Sequence, residues 1–527
     1  MDLDGLKLDK GNKKFFSAIE FIKDTNRSVF LTGKAGTGKT TFLKYLKTIS
    51  LKNSVVLAPT GIAAINAGGQ TIHSFFQIKP SLYVPGDKRL RKKAPNNAED
   101  RSTIYDHFRY RKEKLKIIQA LEVLIIDEIS MVRCDLLDVV DRLLQVFRKK
   151  IGIPFGGVQV IFIGDAYQLP PITKDNEWEI LSQFYNTPYF FSAKSFKKVK
   201  PECIQLDKIY RQSDPNFIQL LNKVREGKLE NSDLDELNNR YIANFTPPEG
   251  ENYITLATHN YQVDAVNELK LKKLKTKKRT YIGKVDGRFK RKDMATDFEL
   301  DLKVEAQVMF VKNDSGVDRR YYNGKIGKVE ELNANSVIVS TDEHDRIVVE
   351  KATWENVEYT WNKEKQEIEE KVLGTFSQLP LKLAWAITVH KSQGLTFDKV
   401  IADVSSAFDY GQVYVALSRC TSLDGLVLKN RIDGPEIKTD YKVITFSEKN
   451  DLSFQEINDN LTAAKADSAY EETRKAIRSN NIDRAIEKLC EANSFRSDIN
   501  TQVFRRILKL YISRYYIHKD DLYKVDL

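Results

Sequence analysis

The chain has 527 residues, with 84 Lys and Arg against 73 Asp and Glu and a formal net charge of +11. That length exceeds one hydrophobic core and implies about three or four domains. No apolar run is long enough to cross a membrane, and the acidic start Met1-Asp2-Leu3-Asp4-Gly5 lacks the basic and apolar regions of a targeting peptide. The four cysteines (Cys134, Cys203, Cys420, Cys490) form no C-x-x-C pair, which argues against a zinc site or disulfide framework and fits a reducing compartment. The basic balance points towards a polyanionic partner.

In chain order, the apolar run Val29-Phe30-Leu31 reads as a buried strand and Thr41–Leu46 as the start of a helix. Between them Gly33-Lys34-Ala35-Gly36-Thr37-Gly38-Lys39-Thr40 matches G-x-x-x-x-G-K-[ST] at every fixed position. Strand, loop and helix together form the setting in which backbone N–H groups cradle phosphate oxygens at a helix N-terminus. Ala35, Gly36, Thr37, Gly38, Lys39, Thr40 and Thr41 are the expected nucleotide-binding residues. Lys39 would reach the β- and γ-phosphates, and the Thr40 hydroxyl would hold Mg²⁺.

A second apolar strand, Leu121–Ile126, ends in Asp127-Glu128. In phosphate-loop enzymes such an Asp holds Mg²⁺ and a neighbouring acid orients water, so Asp127 is the metal candidate and Glu128 the candidate base. A third, Val158–Ile163, runs into Gly164-Asp165-Ala166-Tyr167-Gln168-Leu169-Pro170-Pro171. Three such strand ends belong at the carboxyl edge of a parallel sheet, where α/β folds keep their ligands. Gln168 is placed to sense the γ-phosphate, and the proline pair stiffens its loop.

Two later segments fix the class: Ala384–Phe397, containing His390-Lys391-Ser392-Gln393-Gly394, and Gln412–Cys420, containing Ser418-Arg419. With the loops above, and in this order, they resemble the motor motifs of superfamily 1 helicases. Leu57–Ala64 and Thr71–Phe76 resemble the strand-contacting motif of superfamily 1B, and Asp138 through Pro154–Gln159 resembles the signature of the petite-integration-frequency helicases. That family moves 5′ to 3′ on DNA. The resemblance covers residues 8 to 435.

It implies an α/β fold with two RecA-like parallel-sheet motor domains, the first over 1–78 and 117–199 and the second over 200–277 and 376–449. A small wedge insertion would occupy 79–116, an inserted SH3-like β-barrel 278–375, and a helical C-terminal extension 450–527. It also implies ATP between the lobes, with Lys39, Asp127, Glu128, Gln168, Arg211 and Arg419 catalytic. The two arginines would come from the second lobe to stabilise the transferring phosphoryl group. Gln393 and Gly394 would couple nucleotide state to DNA. The family's adenine-reading Gln is missing; Asn12, with a shorter side chain, stands near its place.

Expected DNA contacts are Thr60, His73, His259, Asn260, His390, Lys391 and Ser392, which would grip the backbone of one strand without reading bases. The basic runs Lys88–Lys93 and Lys270–Arg279, the latter continuing over Arg288–Lys292, suit either DNA contact or a solvated face. Tyr321–Val329, with Asn323-Gly324, reads as a hairpin, in which Tyr321 and Tyr322 suit core packing more than base stacking. Ala469–Ala492 reads as two amphipathic helices joined at Ser479-Asn480-Asn481, like one tetratricopeptide unit, and Phe504–Tyr511 as a basic helix; these helices either dock on the motor or bind a protein partner. The sum is an ATP- and Mg²⁺-dependent helicase on single-stranded and forked DNA, with G-quadruplex DNA and RNA–DNA hybrids left open. It is expected to be a monomer, cytoplasmic and nucleoid-associated in a bacterium or nuclear in a eukaryote. A protein-stripping translocase and a nucleotide-gated DNA-binding switch are the alternatives.

Overall fold

The computed structural model describes residues 2–509 apart from 4–5, 8, 50–52, 95, 97–99, 249–250, 315–319, 342–345, 363–366, 408, 435–436, 503 and 507. The first lobe is built on a six-stranded sheet: β1 (Val29–Gly33), β2 (Ser54–Ala58), β3 (Gln70–Thr71), β4 (Val123–Ile126), β5 (Gln159–Ile163) and β6 (Glu202–Leu206). Their spatial order is β3-β2-β4-β5-β1-β6, and every pairing is parallel. Strands such as Val-Leu-Ile-Ile and Gln-Val-Ile-Phe-Ile are buried along their whole length, as a sheet covered on both faces requires. Alternate residues point to opposite layers. Val29, Leu31, Ile125 and Ile163 pack against helices Lys13–Asp24 and Lys39–Thr48, while Phe30, Leu124, Ile126 and Phe162 pack on the side of helix Cys134–Phe147.

The first-lobe boundary expected at 199/200 cuts through this sheet. Glu202–Leu206 is its edge strand, paired with Val29–Gly33, so the lobe runs to Leu206. Helix Tyr441–Lys449 also packs on the first lobe rather than the second: the Phe446 ring stacks on Phe191 with centroids 4.3 Å apart and meets Phe30 at 5.8 Å.

The second lobe carries a four-stranded parallel sheet of β7 (Ile254–Ala257), β8 (Ala386–Thr388), β9 (Val400–Asp403) and β10 (Leu426–Leu428), in the order β8-β7-β9-β10. The fold is thus α/β with two parallel-sheet lobes. Between β7 and β8 sits an antiparallel β domain with its own core, which includes Val308, Phe310, Val329, Val339 and Leu381. It ends at Leu383, not at 375, because Leu381–Leu383 pairs with Gln307–Phe310. Tyr321 stacks on Phe310 at 4.3 Å inside that domain and is not part of a strand. The 116/117 boundary of the wedge insertion likewise falls inside helix Lys112–Ala120, which buries Ile117 and Ile118 in the main core.

The C-terminal extension is an antiparallel helix pair, Phe454–Arg478 and Ile482–Phe495, broken at Ser479–Asn481 as read. One such pair cannot bury its own apolar face. The first helix solves this by docking on helix Lys13–Asp24, where Ile457, Leu461 and Ala464 join the first-lobe core. Lys465 pairs with Glu20 at 2.6 Å, and Asn460 donates to Glu202 at 2.7 Å. The stretch Phe504–Tyr511 includes residues outside those described. No described helix is long and apolar enough to cross a membrane.

Candidate active site and nucleic-acid interface

Strands β4, β5 and β1 are neighbours, so parallel pairing brings Asp127-Glu128, Gly164–Gln168 and the phosphate loop to one edge. Gly36 and Gly38 adopt φ of +82° and +91°, which ordinary side chains resist, and a Cβ on Gly36 would lie 2.5 Å from Cβ of Arg211. The loop encloses one side of a cleft of about 590 Å³ lined by Asp9, Asn12, Ala35–Thr41, Glu128, Gln168, Tyr210, Arg211, Gly394, Thr396 and Arg419. Lys39 Nζ folds back onto the loop, donating to the carbonyls of Gly33 (2.6 Å) and Lys34 (3.0 Å). Burial brings its ammonium down to about 8, with Asp165 and Glu128 opposing.

Burial, and then the charge of Glu128, push the Asp127 carboxyl up to about 7, while Lys39 opposes. Burial also raises Glu128, against Lys39 and Arg419. Glu128 is held at φ 50°, ψ 46°, a left-handed conformation that costs a non-glycine residue about 1–3 kcal/mol. Two desolvated acids beside the exposed Thr40 hydroxyl fit a hard dication, which would replace the proton that burial favours. Among the described residues no group of three acidic, His or Cys side chains could hold a metal by itself. Mg²⁺ is commonly held by one or two protein oxygens, with phosphate oxygens and water completing its shell.

Arg419 is 1% exposed in the second lobe and is held by three bonds: Nε to Val415 O (2.9 Å), Nη1 to Leu395 O (3.3 Å) and Nη2 to Ser418 Oγ (3.1 Å). Arg211 differs from the expectation that both arginines come from that lobe. It follows β6 of the first lobe, packs against Gly36, and donates to Ser418 O across the gap at 2.9 Å. Burial and the neighbouring Arg419 push its guanidinium down to about 9. A guanidinium stays protonated in proteins, so the depression marks positive charge awaiting an anion. Gln393 joins the two lobes. Its Nε2 donates to Glu128 Oε2 at 2.9 Å and to Gln168 Oε1 at 3.1 Å.

At the other end of the cleft Asn12 caps helix Lys13–Asp24 through Oδ1, which accepts the Phe15 N–H, and donates Nδ2 to the Tyr210 hydroxyl at 3.3 Å. Asp9 accepts from Tyr210 (2.9 Å) and Lys208 (2.5 Å). Both ends of the Asn12 amide are therefore engaged within the protein.

A second cleft, about 520 Å³, shares Thr40, Glu128 and Gly394 with the first. Thr60, His390 and Lys391 line it. Thr60 is exposed and its hydroxyl oxygen caps helix Gly61–Ala67. His73, His259 and Asn260 line neither cleft: His73 lies in helix Ile72–Phe76, while His259 caps helix Asn260–Lys273 at the end of β7. Ser392 does not fit the expected phosphate contact. It is fully buried, with Oγ donating to Val389 O at 2.8 Å, because the tight turn after β8 folds it inward.

A model of PIF1-like helicases matches residues 7–235. The ATP-dependent DNA helicase PIF1 of Homo sapiens is 32% identical over 435 residues, covering 80% of this chain and 61% of the human protein. ATP-dependent DNA helicase Pif1 of Bdellovibrio bacteriovorus is 30% identical over 420 residues, covering 78% of this chain and 86% of that protein. The chain belongs to the PIF1-like helicase family. Pif1 from Bacteroides sp, solved in complex with ADP-AlF4, is 42% identical with a TM-score of 0.75, covering 83% of this chain and 96% of that one. This PIF1-like chain spans only 61% of its human relative's length.

Motif reading in this PIF1-like helicase missed the cleft residues that carry no motif. Asp9 and Tyr210 flank the nucleotide cleft, and Lys312, Asn313, Asn323 and Trp354 bring the β domain to the second cleft. Nothing local marks them. Only the Asn323-Gly324 turn was legible, and not its position opposite Thr60. The run Lys88–Lys93 is also re-read. Arg89 pairs with Asp87 at 2.5 Å and lies over the Tyr83 ring, while Lys88 and Arg91 both reach Asp100. Arg89 and Arg91 are half-buried internal staples of the wedge insertion, whereas Lys88, Lys92 and Lys93 are exposed.

Proposed function

We propose that this chain is an ATP-dependent DNA helicase that moves 5′ to 3′ along single-stranded DNA and separates forked duplex. The observation that carries the reading is the Gln393 bridge. One amide touches the candidate base Glu128 while its neighbours, His390 and Lys391, line the adjoining cleft. A strand lying against His390, Lys391 and Thr60 would set where Gln393 stands, and Gln393 sets where Glu128 points. DNA and hydrolysis are thereby coupled through one turn of chain. Bacteroides Pif1 bound to single-stranded DNA, 41% identical with a TM-score of 0.57, supports the choice of ligand. A Pif1 helicase structure, also 41% identical with a TM-score of 0.57, is described for unwinding at forked double-stranded DNA.

Each residue then has a task. The loop amides and Lys39 bind the β- and γ-phosphates; Thr40 and Asp127 would hold Mg²⁺, which when bound neutralises phosphate charge. Glu128 orients water and accepts its proton. Gln168 senses the γ-position, and Arg211 and Arg419 stabilise charge on the transferring group. A pure nucleotide switch has no use for Glu128 and two arginines lining the nucleotide cleft. Asn12, already bonded at both ends, gives a weak hold on the base.

Strand displacement tests the reading. Duplexes with a 5′ or a 3′ tail, with and without Mg·ATP, are compared for wild type and Lys39→Ala. Unwinding is expected only from the 5′ tail, only with Mg·ATP and not in Lys39→Ala. Unwinding only from the 3′ tail refutes the polarity, and DNA-stimulated hydrolysis without unwinding makes the chain a translocase.

A further inference from the structure

The seam between the lobes holds a buried polar cluster that none of the tasks above employs. Asp165, just past β5, is 0% exposed; Arg225, in helix Pro215–Glu226, is 5% exposed; Tyr414, in helix Gln412–Leu417, is 4% exposed. Arg225 donates Nη2 to Asp165 Oδ1 at 2.8 Å and Nε to Oδ2 at 3.3 Å, and its guanidinium lies 3.7 Å from the centre of the Tyr167 ring. The Tyr414 hydroxyl accepts the Ala35 N–H at 2.9 Å and donates towards Asp165 Oδ2 at 3.5 Å. Ala35, Asp165 and Tyr167 belong to the first lobe. Arg225 and Tyr414 come after the crossing at Arg211.

A buried ion pair is a poor source of stability, because desolvating two charges offsets most of their attraction. What it supplies is register. A planar fork accepts a carboxylate in few orientations, and stacking on Tyr167 narrows them further. Burial disfavours the charged form of Asp165, yet Arg225 and Lys39 outweigh it and keep the carboxylate ionised. The pair therefore fixes one docking of the lobes. Tyr414 carries that docking to Ala35, the third residue of the phosphate loop.

We infer that Arg225 and Tyr414 are positioning residues that tie the phosphate loop's conformation to lobe closure. With the lobes together, the Ala35 amide has its acceptor and the loop is held in its cradling form. When they part, that buried N–H loses its partner and the loop relaxes, so nucleotide affinity falls as the motor opens. This deepens the ATP-driven reading above and rests on it.

The test uses the full chain. Tyr414→Phe keeps the ring and removes the hydroxyl. The KM for ATP is expected to rise about tenfold, as when a buried amide loses its partner, while kcat at saturating ATP and single-stranded DNA falls less than threefold. Arg225→Lys keeps the charge and loses the fork, and should move KM the same way. The double variant should raise KM by less than the product of the two, as expected of residues in one network. A third readout does not need catalysis: the rise in melting midpoint produced by saturating ADP should shrink in both variants. An unchanged KM, or an equal drop in melting midpoint with and without ADP, overturns the inference. If the wild type hydrolyses no ATP, the activity reading fails instead, and the ADP-induced rise still decides the role of Tyr414.

Discussion

Replacing Gln393 with Ala isolates the link between the two clefts. The side chain makes two hydrogen bonds across the lobes, one of them to the half-buried carboxylate of Glu128. A hydrogen bond to a charged group is worth about 1.5–3 kcal/mol. At roughly 1.4 kcal/mol per tenfold, losing it in the reactive state lowers kcat by roughly 10- to 150-fold. The loss should fall on kcat, because the phosphate loop and Lys39 still bind nucleotide. Steady-state ATP hydrolysis with saturating single-stranded DNA measures both constants. DNA stimulation, the ratio of rates with and without the strand, should shrink in step. Gln393→Glu sets a second carboxylate against Glu128 and should be at least as damaging. A Gln393→Ala enzyme with kcat within threefold of wild type, still fully stimulated by DNA, would refute the coupling.

Four further outcomes follow from particular contacts. Asp127 has its carboxyl raised to about 7, so the folded apo chain binds that proton more tightly than the unfolded chain; this group's stabilising contribution is present at low pH and is lost as pH rises towards and through 7. For the same reason protons compete with the metal, and the Mg²⁺ concentration for half-maximal hydrolysis should be higher at pH 6 than at pH 8. Lys391→Ala should weaken single-stranded DNA binding and flatten the log–log salt slope by about 0.7, whereas Ser392→Ala should leave that slope unchanged, both read by fluorescence anisotropy across a salt series. Arg89→Ala should lower the melting midpoint and leave the salt slope intact, because that side chain is spent on Asp87, Ser81 and Leu82 within the wedge insertion. Leu461→Ala should cost about 2–5 kcal/mol in denaturant unfolding, since Leu461 is 6% exposed where the C-terminal helix docks on the first lobe.

Some of this protein was written in short stretches of chain. The phosphate-loop motif is local: its strand, glycines and helix start are contiguous in the chain. Asp127-Glu128, at the end of an apolar strand, and Gln168, in the polar loop that follows another, were legible for the same reason. Motif order then assembled them. Contacts between distant segments were not legible, because what a side chain touches depends on elements far away in sequence. Glu202–Leu206 looks no more like a first-lobe strand than a second-lobe one until it pairs with Val29–Gly33. Ser392 sits inside a recognisable motif, yet the turn after β8 buries its hydroxyl. Asn12 is committed as a helix cap, and Arg89 and Arg91 are tied within their own insertion. The sequence by itself therefore determined the chemistry of each half of the site. Tertiary structure decided how the halves meet, through Gln393 on Glu128 and Tyr414 on Ala35, because hydrogen bonds between lobes exist only where two separately folded surfaces are brought into register.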